Sequence, residues 1–155
     1  MFFSRKVKKI LKEQAGEKAI MAIDNLLTPI FYSAPEKLSE EEQTIVFIEA
    51  LEREINNGGF SQFFFNSSGN DVAETVGALR KVGSSKFLSL LEAAIAQFPN
   101  SFVPKNQTER EQILVNIEDD AELIWEKLEG EFYRYEEDIH ALMLTYISSN
   151  IRMFR

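Results

Sequence analysis

The sequence predicts an all-α fold, a single-domain multi-helix bundle that ends in a long C-terminal helix or helix pair. From residue 39 onward the apolar residues mostly recur at helical spacing, and helix-capping signals stand between the periodic segments. No segment alternates apolar and polar residues as a half-buried strand does. With 45% hydrophobic residues among 155, and only 7 Gly and 4 Pro, the chain suffices for one packed core. We expect one domain over residues 1–155.

The first predicted element is a peripheral basic helix over residues 1–15. Its five cations, all before the first acid, are Arg5, Lys6, Lys8, Lys9 and Lys12, and its apolar residues are Phe2, Phe3, Val7, Ile10 and Leu11. We expect the apolar side chains to dock this helix on the core. Contact with anionic lipid, or with an acidic segment of the same or a neighbouring subunit, is the alternative.

The second and third helices are set by their boundary signals. The second is predicted over residues 17–33, with a bend at Pro29. Ser39 and Glu42 have the spacing of a capping box, which predicts the start of the third helix. The run Asn56-Asn57-Gly58-Gly59 is predicted to end it, because Asn and Gly tolerate the left-handed conformation of a helix C-terminus.

The C-terminal half contains three further predicted helical stretches. Asp71 is predicted to cap the first, Gly83-Ser84-Ser85 separates it from the second, and Pro99 ends the second. A capping box at Thr108-Glu109-Arg110-Glu111 is predicted to begin the longest periodic stretch. Its apolar positions are Ile113, Ile117, Ala121, Ile124, Leu128, Phe132, Tyr135, Ile139, Leu142 and Tyr146. Gly130 is the predicted place for a kink or break.

The composition excludes several classes of chemistry and location. The chain has no cysteine, which excludes disulfides, thiolate nucleophiles and Cys-ligated metal clusters. No apolar run approaches the roughly 20 residues that span a bilayer, and the charged N-terminal segment does not match a secretory signal. We expect a cytoplasmic protein.

No catalytic or metal-binding constellation is recognisable. Glu137 and His140 have the Glu-x-x-His spacing of di-iron bundles, but the chain has one His, so a second such motif is missing. The sequence also lacks a Gly-x-Ser-x-Gly elbow and a phosphate-binding glycine loop. We therefore predict no enzyme activity, cofactor or metal, and interpret His140 as a helix-surface or core-edge residue.

The stretch from Asn57 to Gly69 is the most unusual part of the sequence. It holds four phenylalanines, a Gln and an Asn between two glycine stops, which predicts a short helix inserted into the core. Gln62 and Asn66 are four residues apart, so we expect them to share one face and to bind backbone groups. The alternative is a small-molecule pocket, because aromatic walls with a few amides are typical of such pockets. That pocket would use Phe60, Gln62, Phe63 and Asn66.

This stretch resembles the signature of the bacterial DNA-mimic protein family. The matching residues are Asn57, Gly58, Gly59, Phe60, Gln62, Phe63, Phe64, Asn66 and Gly69, followed by a helix with Ala78-Leu79. The resemblance covers about residues 40 to 130 and implies an all-helical fold. For the characterised member it implies a dimer whose carboxylates imitate DNA phosphates on a transcription factor, so a homodimer is one expected assembly. Some relatives look like immunity or defence proteins, and no catalytic residue is implied.

The acidic residues indicate the kind of partner. The net charge is −8, and the segment from Glu109 to Asp138 holds twelve acids against three basic residues. If residues 117–139 are helical, one face carries a carboxylate about every 6 Å, whereas each DNA strand has a phosphate every 3.4 Å. The predicted partner-binding residues are Glu118, Glu122, Glu126, Glu129, Glu136 and Glu137. We predict that they bind the basic surface of a DNA-binding protein rather than nucleic acid itself; an ordinary solvated helix face and an immunity-type module with a shaped apolar surface are the alternatives.

Overall fold

The structure, a computed structural model, describes residues 2–154 apart from the side chains of Phe2 and Phe3, so the predicted docking of those two rings lies outside the described residues. Within this range the chain is all-α, which confirms the predicted fold class. The helices are α1 (Phe2–Glu13), α2 (Gly16–Ser33), α3 (Glu40–Phe65), α4 (Val72–Val82), α5 (Ser85–Ile95), α6 (Gln107–Phe132) and α7 (Ile139–Ser149). Short 3₁₀ turns occupy Pro35–Lys37, Ser67–Asp71, Pro99–Ser101 and Ile151–Met153.

Helix α3 is the centre of the bundle and packs against α2, α4 and α6. The predicted capping box begins it. The Ser39 hydroxyl accepts from the Glu42 N–H at 3.1 Å, and the Glu42 carboxylate accepts from the Ser39 N–H at 2.8 Å. Both contacts satisfy backbone donors that a helix start leaves unpaired. The buried face of α3 includes Ile45, Ile48 and Leu51.

The predicted end of α3 proves to be a break within it. The backbone leaves helical geometry at Gly58 and Gly59, where Gly59 has a φ of 74°, and becomes helical again from Phe60 to Phe65. The second part is the short inserted helix that the phenylalanine-rich stretch predicts. Two helical pieces at an angle therefore bring the motif into the core.

The C-terminal helices correct two predicted boundaries. Asn106 rather than Thr108 caps the start of α6, because the Asn106 side chain accepts from the Glu109 N–H at 3.0 Å. Gly130 stays helical, and the break falls after Phe132 instead. There Tyr135 has a positive φ of 44° and the Asp138 carboxylate caps α7. Side-chain capping and a reversal of the backbone, rather than the flexibility of one glycine, separate α6 from α7.

The first helix packs on the bundle. Val7 is fully buried, Ile10 and Leu11 pack against the core, and α1 contacts α2 and the turn Ile151–Met153. Its lysines and its arginine are exposed to solvent. In the described part of the chain, no helix is both long and apolar enough to cross a bilayer.

Candidate functional site

The glycine–phenylalanine motif is anchored at the break in α3. The Phe60 N–H donates to the Glu129 carboxylate of α6 at 2.7 Å, which satisfies a donor at the start of the inserted helix. A Cβ atom on Gly59 would overlap that same carboxylate, and the positive φ of Gly59 also disfavours other residues. Glycine at this position therefore permits the contact that ties α3 to α6.

The rings and amides of the motif are occupied within the fold. Phe60, Phe63 and Phe64 are fully buried, and the Phe64 ring lies 5.4 Å from the Trp125 ring. Gln62 and Asn66 do share one face, as predicted, but their amides donate to the Glu54 carboxylate at 2.9 and 2.8 Å rather than to the backbone. These contacts favour a packing role over the predicted alternative of a small-molecule pocket around Phe60 and Gln62.

Arg110 completes the motif from α6 and has no exposed surface. Its guanidinium donates to the carbonyl oxygens of Phe64 at 2.5 Å and Asn66 at 3.1 Å. It also donates to Asn70 Oδ1 at 2.8 Å and to the carbonyl oxygens of Pro104 and Lys105. A Cβ on Gly69 would overlap both the Phe64 carbonyl and the guanidinium. The charge is thus buried inside a complete set of acceptors.

Sequence reasoning missed this role of Arg110 and counted it only among the three basic residues of the acidic segment. A signal was present, because Arg110 continues the buried row of Leu114, Ala121 and Trp125 at helical spacing. A basic residue in line with a core-facing row indicates a buried, hydrogen-bonded cation.

Four of the predicted partner-binding acids do lie together on α6. Glu118 and Glu126 are exposed, whereas Glu122 and Glu129 are half-buried. Burial raises the pKa of Glu122, and the negative charges of Glu129, Glu126 and Glu118 raise it further. The Glu118 carboxylate also accepts from the Ser61 hydroxyl at 2.9 Å. The four carboxylates, which we call the α6 acidic row, repel one another.

Glu136 and Glu137 do not continue this row, because α6 ends at Phe132. The Glu137 carboxylate accepts from the Ser84 hydroxyl at 2.5 Å and from the Lys86 N–H at 3.4 Å, beside the start of α5. Glu136 lies 3.7 Å from the Lys86 ammonium and 3.8 Å from the Arg134 guanidinium. Both acids have partners within the chain, so the predicted face is shorter than the sequence spacing indicates.

Apolar side chains are exposed beside the α6 acidic row. Val115 is 80% and Leu123 65% exposed, and these residues flank exposed Asp119 at helical spacing. Phe102, shortly before α6, is also largely exposed. The outer side of α6 therefore offers both carboxylates and apolar groups, a combination typical of protein-binding surfaces.

A second polar site lies between α3 and α7, where the structure brings Glu49, Glu52 and His140 together; we call it the Glu–His cluster. His140 Nε2 lies 3.1 Å from Glu52 Oε2, which also accepts from the Tyr135 hydroxyl at 2.9 Å. The Asn56 amide donates to that hydroxyl at 2.9 Å. His140 is half-buried, which agrees with the predicted core-edge position, and its carboxylate partner is Glu52.

Burial governs the ionisation of the Glu–His cluster. Desolvation raises the pKa of Glu49 to about 9, and the negative charges of Glu52 and Asp24 act in the same direction. The pKa of His140 is raised chiefly by its hydrogen bond to Glu52. Sequence reasoning missed the cluster, although two acids three residues apart among the apolar positions of α3 were its signal.

These features define an acidic all-α domain whose core is built around a glycine–phenylalanine motif. The chain belongs to the DMP19-like protein family, because the model of that family matches residues 36–150, roughly three quarters of the chain. No curated protein matches the chain, and no solved structure matches it.

Proposed function

We propose that this protein is an acidic, non-enzymatic domain that binds the basic surface of a DNA-binding protein, as a DNA mimic. The observation that carries the proposal is the α6 acidic row, in which carboxylates face one another without a cation between them. Membership of the DMP19-like family supports it, because DNA mimicry is the role associated with that family.

The α6 acidic row has a specific electrostatic reason to attract a basic partner. Among the described residues, none of Glu118, Glu122 and Glu126 forms an ion pair with a lysine or arginine. Burial is the first cause of the raised pKa of Glu122, and repulsion by the carboxylates of Glu129, Glu126 and Glu118 adds to it. Lysine or arginine side chains of a partner would relieve that repulsion, as they do when they neutralise DNA phosphates.

The α6 acidic row matches DNA in the sign of its charge, and its charge density is lower. Acids one helical turn apart give a carboxylate about every 6 Å, roughly half the density of phosphates on one DNA strand. Exposed Asp119 and Asp120 broaden the negative surface around the helix. A homodimer, as the family resemblance implies, would add a second row and bring the density closer to that of a duplex.

An immunity-type or other protein-binding module is the second candidate function. Exposed Val115 and Leu123 favour it, because apolar side chains at the centre of an interface supply affinity that salt does not screen. The two functions use the same side of α6 but differ in which residues dominate binding. Their dependence on salt separates them.

The test uses immobilised full-length protein and the DNA-binding fraction of the native lysate, prepared on DNA–cellulose. The variant Glu118→Gln/Glu122→Gln/Glu126→Gln is compared with Glu36→Gln/Glu40→Gln/Glu92→Gln. The second changes the net charge equally at exposed acids outside α6. We expect wild type and the control to retain a protein that duplex DNA displaces and that salt elutes, and the α6 variant to lose it.

Equal retention by the α6 variant would contradict DNA mimicry by this surface. Retention that resists high salt, but is lost in Val115→Ser/Leu123→Ser, would instead support the apolar protein-binding module.

A further inference from the structure

The Glu–His cluster has the composition and placement of a cation site. Glu49 and Glu52 are one helical turn apart on α3, and His140 approaches from the first turn of α7. One ligand atom from each of the three residues lies within 4.8 Å of the others. Two ligands at about 2.1 Å from one ion are up to about 4.2 Å apart, so small side-chain rotations suffice to close the set.

Two buried oxygens in this cluster lack a hydrogen-bond partner. Glu49 is 9% and Glu52 7% exposed, and the Oε1 atom of each accepts no hydrogen bond within the described chain. A buried carboxylate oxygen without a donor is costly, and native proteins satisfy such atoms with a proton, water or a cation. This orphaned pair is an observation independent of the acidic composition of the site.

The surroundings add negative charge and access from solvent. A cavity of about 300 Å³ adjoins the cluster, and Asp24 and Glu17 also line it, against a single arginine, Arg53. Both carboxylate oxygens of Asp24 are already used, since one accepts from Thr28 and the other from Arg53. The open space thus leads to Glu49, Glu52 and His140 as the available ligands.

Neighbouring side chains hold the ligands in place. The Tyr135 hydroxyl fixes Glu52, the Asn56 amide fixes Tyr135, and the His140 ring stacks on the Tyr135 ring with 19° between their planes. Ligands oriented by such contacts are characteristic of metal sites.

We propose that Glu49, Glu52 and His140 bind one divalent first-row transition-metal ion, of which Mn²⁺ and Zn²⁺ are the representative cases. Imidazole nitrogen selects these ions over Mg²⁺ and Ca²⁺, which prefer oxygen ligands alone. The cavity leaves room for water at the remaining positions. The ion satisfies both orphaned oxygens and links α3 to α7, whether or not the protein binds a DNA-binding partner.

The test is titration of chelator-treated, full-length protein with Mn²⁺ alone and with Zn²⁺ alone. Because His140 is the only histidine of the chain, its imidazole NMR signals report on this site without ambiguity. We expect binding of one ion per chain, broadening of the His140 signals by Mn²⁺, and a shift of them by Zn²⁺. Glu49→Gln and Glu52→Gln are each expected to raise the Kd at least about tenfold.

The matched control is Glu118→Gln/Glu122→Gln, which removes two acids one turn apart on α6 and should leave the Kd unchanged. Glu49→Gln preserves the shape of the side chain and removes a buried acid, so this variant is expected to fold. Binding that disappears in the α6 control but persists in Glu49→Gln would overturn the proposal. Titration without one-to-one binding or any change at His140 would overturn it too, and would leave a shared proton as the occupant of the site.

Discussion

The Arg110 site and the Glu–His cluster both bury charged groups, but they differ in how completely those groups are hydrogen-bonded. Around Arg110, five protein oxygens accept from the guanidinium, and they come from the motif, from the turn Ser67–Asp71 and from the segment before α6. In the Glu–His cluster, two carboxylates lie against each other and leave the Oε1 atoms of Glu49 and Glu52 without donors. Both sites are attached to α3, and they lie on the two sides of its break.

The difference separates a buried site that is fully hydrogen-bonded from one that is not, on the same helix. A buried ion whose hydrogen bonds are complete holds segments together and has no capacity left for a ligand. A buried acid pair with unfilled acceptors is a cost to the fold unless something else occupies it. The motif that resembles the family signature is therefore complete within the fold, whereas the less conspicuous acids of α3 keep acceptors for the ion that we propose.

The largest expected effect on stability comes from removing the Arg110 guanidinium from its five acceptors. Arg110→Met removes the donor to five buried or half-buried oxygens while keeping most of the side-chain volume. We expect it to lower the free energy of unfolding by about 3–5 kcal/mol, because unpaired buried polar groups cost that much when one partner is removed. Urea unfolding followed by circular dichroism measures the loss.

Arg80→Met is the control, since Arg80 is exposed and pairs with exposed Glu92. It should change the free energy of unfolding by no more than about 0.5 kcal/mol. Similar losses in the two variants would mean that the Arg110 site contributes no more than a surface ion pair.

The next largest effect tests whether the motif needs a glycine at position 59, where the backbone lies close to the Glu129 carboxylate. Gly59→Ala combines a positive φ with an overlap between the new Cβ and the Glu129 carboxylate, so we expect a loss of about 2–3 kcal/mol. Gly83→Ala has a similar φ of 78° with open space around it, and should cost only about 1 kcal/mol. Thermal unfolding of both variants measures the difference, which contains the overlap and the backbone of Gly59, whose ψ is −171° against 26° at Gly83. Equal losses would mean that neither adds to the cost of a positive φ.

The sequence predicted the helices and the acidic row better than the sites, for a physical reason. Helical periodicity and capping are local, so the box at Ser39 and Glu42 and the inserted helix after Gly59 were predicted correctly. The wrong break at Gly130 shows the limit, because helix propensity alone does not reveal the caps around Asp138 that end one helix and begin the next. Periodicity and glycine indicate roughly where a helix breaks, whereas the capping side chain, here Asp138, fixes the exact end.

The two buried-charge sites depend on contacts that no local pattern encodes. His140 was tested against Glu137, its neighbour in sequence, whereas its partner is Glu52 on another helix. Glu129 and Glu137 were predicted for partner binding, yet their carboxylates bind the backbone of α3 and the start of α5. Which acids remain available for a partner depends on which of them the fold uses.

The smallest expected effect concerns the Glu–His cluster and is a change in how stability depends on pH. The pKa of Glu49 is about 9 in the folded chain, against an ordinary value of 4.5, so the folded state holds a proton that the unfolded state has released. Stability must then fall as pH rises from about 4.5 towards 9, since the folded state binds more protons throughout that window. Glu49→Gln removes the titration, so its unfolding free energy should fall less steeply over this range.

The charged neighbours of Glu49 are the same in the wild type and in Glu49→Gln, which makes the two pH profiles comparable. Asp24 on α2, Glu52 and Arg53 on α3, and His140 on α7 all face Glu49 and are present in both proteins, so the difference between the two pH profiles belongs to Glu49. His140 has a raised pKa and also destabilises the fold as pH rises, but only above its ordinary value of 6.5, which leaves the range from 4.5 to 6.5 to Glu49. Urea unfolding in the presence of a chelator, at intervals from pH 4.5 to 9, measures both profiles. Parallel profiles would mean that Glu49 is ionised in the folded protein. The incomplete hydrogen bonding of the Glu–His cluster would then not lead to a bound proton.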